Sequence, residues 1–377
     1  MPRILIVSVR AGAGHLKAAE AVEVAFGKYQ PRAECKNVDL LDHSTGLIKY
    51  LYGKLYLDVV KAMPELYAYS YRHYESSKRF TKPRFLRDRF NFADLFGILK
   101  EFNPDIVIGT HFISAALLEN YRRKKKKAFK VAVTLTDYEF HPVWVVPNAD
   151  LYFTATQEVK DSLSFYGIPP ERIVPSGIPI HPKFSEEKDR KGLLAKYGLN
   201  NQSPVVLISA GSFGVTPLGE VIADFKVIQD DFQIVVVCGN NVKLKKDLEA
   251  KQASDPRLKK IFGFVDFMDE LMAMSDLLIT KPGGITVSES IAVGLPMIFI
   301  EPIPGQEEAN ADYLVEQGAG VKARNLPVLL DKLGRLIRDP GRLAAMSKKA
   351  RALSRPYAAQ TIAEETLKYF IDCPSLV

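Results

Sequence analysis

The sequence predicts an α/β protein built on two parallel sheets. Short runs rich in Val, Ile and Leu recur along the whole chain, too uniformly apolar for strands with one wet face. Helix-like stretches separate them, the rhythm of β-α-β units. At 377 residues the chain exceeds what one hydrophobic core usually organises, so the runs fall into two sets.

The first set places strands at residues 4–9, 33–39, 106–110, 130–136, 151–155 and 173–174. The second places them at 205–210, 233–238, 260–264, 277–280 and 297–300. Each set reads as one Rossmann-like sheet. Between them, Gly177-Ile178-Pro179-Ile180-His181-Pro182-Lys183-Phe184 reads as a linker, because its prolines block helix and stiffen the chain. The expected domains are residues 1–180 and 181–354, followed by an amphipathic terminal helix over about 355–377.

Apolar content of 47% and charged content of 25% are ordinary for a globular protein. Cys35, Cys238 and Cys373 are far apart and odd in number, which suits a reducing cytosol better than a disulfide framework. The opening apolar run is too short for a signal segment, and no window is long and apolar enough to span a membrane. The net charge of +7 is unevenly spread. Residues 1–180 hold 26 Lys and Arg against 19 Asp and Glu, and the remainder holds 25 of each. An N-terminal domain facing an anionic surface is therefore expected. Nucleic acid is not the expected partner, since no nucleic-acid motif is present. The run Arg122–Lys127 reads as a solvated basic loop.

The most informative stretch is Ile279-Thr280-Lys281-Pro282-Gly283-Gly284-Ile285-Thr286-Val287-Ser288-Glu289. A glycine pair between strand and helix leaves bare N–H groups at the positive end of the helix, which binds phosphate. Thr286 adds a hydroxyl, and Glu289 lies one turn on, where a carboxylate suits a ribose. The loop Pro302–Ala311 then presents Gln306, Glu307 and Asn310, polar groups suited to sugar hydroxyls. A tight αβ turn with good capping is the plain structural alternative.

The first βα turn, Ser8-Val9-Arg10-Ala11-Gly12-Ala13-Gly14-His15, departs from G-x-G-x-x-G and is not read as a nicotinamide site. His15 is expected to cap a helix N-terminus at the ligand-binding edge of the sheet, neutral as a general base must be. Thr134–Trp144 follows another strand and offers Asp137 to orient His15 or bind an acceptor hydroxyl. His141 and Trp144 are placed at an acceptor mouth, with packing as the even alternative. His111 is a weaker candidate at the same edge. A second glycine turn, Gly211 and Ser212, follows the strand at 205–210. Residues 49–89 carry seven tyrosines between Tyr50 and Tyr74, and ten Lys and Arg against four Asp and Glu. Interleaved aromatics and cations suit a bilayer interface, with Tyr50, Tyr52, Tyr56, Phe80, Arg84, Phe85 and Arg87 as contact candidates.

These motifs resemble glycosyltransferase family 28, in particular the diacylglycerol glucosyltransferase and monogalactosyldiacylglycerol synthase subgroup. The resemblance covers nearly the whole chain and is strongest over 131–183 and 205–311. It implies the GT-B fold, two Rossmann-like domains with a cleft between them, and a last helix returning to the first domain. It implies a UDP-sugar donor held by Gly14, Gly211, Ser212, Gly283, Gly284, Ile285, Thr286 and Glu289. The sugar falls to Gln306, Glu307 and Asn310, and the uracil to backbone at Phe264 and Val265. His15 takes the role of base, with Asp137. The implied reaction is inverting transfer of glucose or galactose to diacylglycerol, by an enzyme peripheral on the inner face of the cell membrane. Its partners are UDP-glucose or UDP-galactose, diacylglycerol and anionic phospholipid. No cofactor and no metal are expected, in keeping with the lack of an Asp-x-Asp motif. The alternatives are a peptidoglycan-precursor N-acetylglucosaminyltransferase, a UDP-sugar 2-epimerase, and a non-catalytic UDP-sugar sensor at membranes.

Overall fold

The computed structural model describes residues 1–10, 12–50, 89–209, 222, 224–300 and 302–372. The chain divides into two compact units, Met1–Pro182 with Ile303–Gln306 and Arg355–Val377, and Lys183–Pro302 with Glu307–Ser354.

The first unit holds a six-stranded parallel sheet. Its strands are β1 (Arg3–Ser8), β2 (Glu34–Asp39), β3 (Ile106–Gly109), β4 (Lys130–Thr134), β5 (Leu151–Phe153) and β6 (Ile173–Val174), in the order β2-β1-β3-β4-β5-β6. Helices α1 (Ala13–Tyr29), α2 (Gly46–Lys49), α3 (Ala93–Phe102), α4 (Phe112–Lys125) and α5 (Gln157–Phe165) connect them among the described residues. Ile4, Leu5, Ile6 and Val7 are all fully buried, because helices cover both faces of β1 and no alternation is possible.

The second unit repeats the plan with β7 (Val205–Ser209), β8 (Gln233–Val237), β9 (Leu258–Phe262), β10 (Leu277–Thr280), β11 (Met297–Ile300) and β12 (Gly320–Ala323). Their order is β12-β11-β10-β7-β8-β9, all parallel, the doubly wound order 3-2-1-4-5-6. Its helices are α6 (Arg190–Lys196), α7 (Val242–Gln252), α8 (Met268–Met274), α9 (Gly284–Val293), α10 (Gln306–Glu316), α11 (Leu326–Ile337) and α12 (Pro340–Leu353). Strand β12 was not expected from sequence: Gly-Val-Lys-Ala at a sheet edge carries no continuous apolar run.

The last helix, α13 (Ala358–Asp372), belongs to the first unit. Its Ala359, Ile362 and Ala363 share a buried cluster with Ile4, Ile6, Val22 and Phe26. Small residues at Ala359 and Ala363 let α13 lie close on α1, and burying a side chain the size of Ile362 is worth about 2 kcal/mol. Among the described residues, no helix is long and apolar enough to cross a membrane.

Candidate active site

In each sheet the strand order reverses once, between β1 and β3 in the first and between β7 and β10 in the second. Ligands of open α/β sheets sit beyond the strand ends at such a point. The sequence-derived residues lie there: His15 follows β1, His111 follows β3, and the Gly283–Gly284 turn follows β10.

His15 sits in the first turn of α1 and is half-buried. It does not cap the helix. Gly12 does, at φ 145°, a backbone conformation that only glycine adopts without strain, and it supplies no side-chain cap. The His15 ring is fixed through Nδ1, which lies 2.9 Å from the Thr110 carbonyl oxygen and 3.1 Å from Thr136 Oγ1. A carbonyl only accepts, so Nδ1 carries the hydrogen and Nε2 carries the lone pair. In turn, Thr110 Oγ1 donates to the His15 carbonyl at 3.0 Å. Thr110 and Thr136 thus orient the ring through Nδ1.

Burial lowers the His15 pKa to about 4, opposed by the Thr110 hydrogen bond. The imidazole is therefore neutral near pH 7, as a base requires. His111 packs edge-on against it with ring centroids 4.5 Å apart. Its pKa is also pushed well down, first by burial and then by His15. Its Nδ1 accepts the Ile113 N–H at 3.1 Å and caps α4, a structural task.

Two acceptor-side expectations are corrected. Trp144 is 1% exposed in a core cluster with Val133, Leu135 and Tyr152, so it offers no face to an acceptor. His141 is also buried, and its Nδ1 caps the short helix Pro142–Trp144 by accepting from Val143 N–H at 3.2 Å. Both residues hold the loop between β4 and β5 in place. Arg122, in the basic run, is tied to Asp150 and to the Asn148 carbonyl, so it anchors that same loop.

In the second unit, Gly283 is the N-cap of α9 and supplies no side-chain cap. The N–H groups that open this helix are the orphan donors of any helix start. A Cβ built at Gly283 would meet nothing within 4 Å, so the turn faces open space. Thr286 is half-buried in the first turn, and Glu289 is 4% exposed on the next. Gln306 and Glu307 open α10. Asn310, expected on the sugar, is 1% exposed and donates to the Pro282 carbonyl at 3.2 Å. Its observed contact is a brace on the glycine turn. Phe264 is 64% exposed just past β9, with Val265 half-buried beside it. Tyr50 is exposed next to α2. Tyr52, Tyr56, Phe80, Arg84, Phe85, Arg87, Gly211 and Ser212 lie outside the described residues.

Thr110 and Thr136 were missed as site residues. Each looks like an ordinary strand end, and only the adjacency of β1, β3 and β4 brings them onto one imidazole.

Two parallel Rossmann-like units of this kind define the GT-B class. Solved structures agree in fold: Acinetobacter baumannii MurG aligns over 98% of this chain and 100% of its own at 18% identity, with a TM-score of 0.64. The Neisseria meningitidis UDP-GlcNAc 2-epimerase aligns over 99% and 100% at 16% identity, with a TM-score of 0.61. The monogalactosyldiacylglycerol (MGDG) synthase family matches residues 15–180, and the glycosyltransferase family 28 C-terminal domain matches residues 205–362. The processive diacylglycerol beta-glucosyltransferase of Bacillus licheniformis is 32% identical over 97% of this chain and 94% of its own length. That of Bacillus subtilis is 31% identical over 97% and 95%. The chain belongs to glycosyltransferase family 28, in the diacylglycerol glucosyltransferase and monogalactosyldiacylglycerol synthase subgroup.

Proposed function

We propose that this enzyme transfers a hexose from a UDP-sugar to the hydroxyl of diacylglycerol with inversion, forming a glycolipid. The observation that carries the reading is likeness to diacylglycerol glucosyltransferases over nearly the full length of both chains. Their names point to glucose as the sugar and to repeated addition.

In the proposed reaction, His15 Nε2 takes the proton of the acceptor hydroxyl. The oxygen lone pair forms the new bond to the anomeric carbon, the bond from that carbon to the diphosphate breaks, and its electron pair leaves with UDP. Donor α and product β correspond to one displacement. The N–H groups at Gly284, Ile285 and Thr286 face the charge that grows on the leaving diphosphate. Glu289 holds the ribose, Gln306 and Glu307 the hexose, and the backbone at Phe264 and Val265 the base. Gly14 lies in the turn beside the base and contacts the donor. Amide dipoles neutralise the charge on the leaving diphosphate, so a chelator is expected to leave turnover unchanged.

An acceptor this insoluble requires work at a surface. Peripheral binding to an anionic membrane on its cytoplasmic face is supported by the charge excess in residues 1–180.

The test is radiolabelled transfer to vesicles with and without diacylglycerol, comparing UDP-glucose with UDP-galactose and varying anionic phospholipid. A diacylglycerol-dependent glycolipid made from UDP-glucose is the expected product. UDP binding with no lipid product overturns the acceptor assignment.

A further inference from the structure

The imidazole of His15 is held by two acceptors rather than one, and they come from different strand ends. The Thr110 carbonyl lies just past β3, and the Thr136 hydroxyl lies two residues past β4. Both residues are buried, and their hydrogen bonds to the ring converge on the single Nδ1–H as a bifurcated bond. The Thr110 carbonyl by itself favours the Nδ1–H tautomer but holds neither the tautomer nor the tilt of the ring fully. A second acceptor at 3.1 Å triangulates it. Threonine suits this task because its branched side chain is stiff about χ1.

We propose that Thr136 is a positioning residue for His15, its hydroxyl holding the ring with Nε2 unprotonated and aimed at the acceptor; this rests on His15 being the base. When Nε2 takes a proton, the Nδ1–H becomes part of an imidazolium. Its bonds to Thr136 and Thr110 become charge-assisted and strengthen. The gain arises only as the proton moves, so it lowers the barrier without tightening donor binding. Both acceptors are neutral, so no ion pair holds a proton on the ring beforehand. His111 packs against the same ring, but its Nδ1 is committed to the Ile113 N–H and does not compete.

The experiment compares Thr136→Val and Thr136→Ser in the full-length enzyme, with ¹⁵N spectra of labelled histidine, the His15 signal being assigned with His15→Ala. Thr136→Val is expected to lower kcat about tenfold, what one ordinary hydrogen bond carries, with the donor KM unchanged. Its His15 signal should shift from the Nδ1–H form toward a mixture. Thr136→Ser should restore both. An unchanged tautomer together with wild-type kcat in Thr136→Val overturns the proposal, as does a loss that serine fails to rescue. Retained turnover in His15→Ala would instead sink the base assignment, and this proposal with it.

Discussion

The two switch points occupy the same place in two similar sheets and are furnished in opposite ways. At each, a strand runs into a helix whose N-cap is a glycine without a capping side chain, Gly12 for α1 and Gly283 for α9. Elsewhere Thr156, Asn241, Asn325 and Asp339 cap their helices in the ordinary way. In the first unit, Gly12 brings a protein side chain, His15, to the strand edge, where it is clamped and desolvated. In the second, Gly283 leaves backbone donors and empty space. An uncapped helix start leaves donors open: in the proposed reaction one unit uses the position to place the base, the other to receive the diphosphate.

The largest expected effect removes the base. His15→Ala should lower kcat by roughly 10²- to 10⁴-fold, the range for a general base. UDP affinity, measured by calorimetry, should stay unchanged, because the diphosphate is assigned to the helix start at Gly283 and not to the imidazole. A loss of UDP affinity would break the comparison.

Gly283→Asp tests the other side. An Asp N-cap usually stabilises a helix by about 1 kcal/mol, and the backbone here, at φ −67°, accepts any residue. Thermal stability should hold or rise while UDP affinity falls about 100-fold, since a carboxylate would fill and repel the phosphate site. Retained UDP binding would mean that the diphosphate sits elsewhere.

The pH profile sharpens the first unit's part. His15 has its pKa lowered to about 4, against an ordinary 6.5. The unfolded chain binds a proton between those values that the folded chain refuses. The stability contribution is therefore fully present above pH 6.5 and is lost as pH falls toward 4, an effect of order 1–3 kcal/mol. Depression of His111 acts in the same direction. In kcat/KM the acid limb from His15 should appear well below pH 6.5. A limb at 6.5 would mean that an ordinary, solvated group controls the rate.

The smallest effect concerns the brace. Asn310→Ala removes the bond to Pro282 and should cost about 1 kcal/mol of stability, with UDP affinity down a few-fold. A selective loss of discrimination between UDP-glucose and UDP-galactose would instead restore Asn310 to the sugar.

The continuous apolar strands determined the α/β class and its two sheets, since strands buried on both faces admit no other pattern. The Gly283–Gly284 turn and the place of His15 at a strand end were legible because both are local features, spelled by consecutive residues. Trp144 and His141 misled as acceptor-side residues, and the bond from Asn310 to Pro282 was not foreseen. Whether a polar or aromatic side chain faces solvent or core depends on what packs over it, as Val133 and Tyr152 do over Trp144. Thr110 and Thr136 carried no signal at all. They stand 95 and 121 residues from His15, and strand order alone brings them to one nitrogen. Local residue patterns set most of the elements and the groups capable of chemistry, though not the edge strand β12. Which nitrogen of His15 keeps its lone pair rests on hydrogen bonds made across the sheet, between residues far apart in the chain.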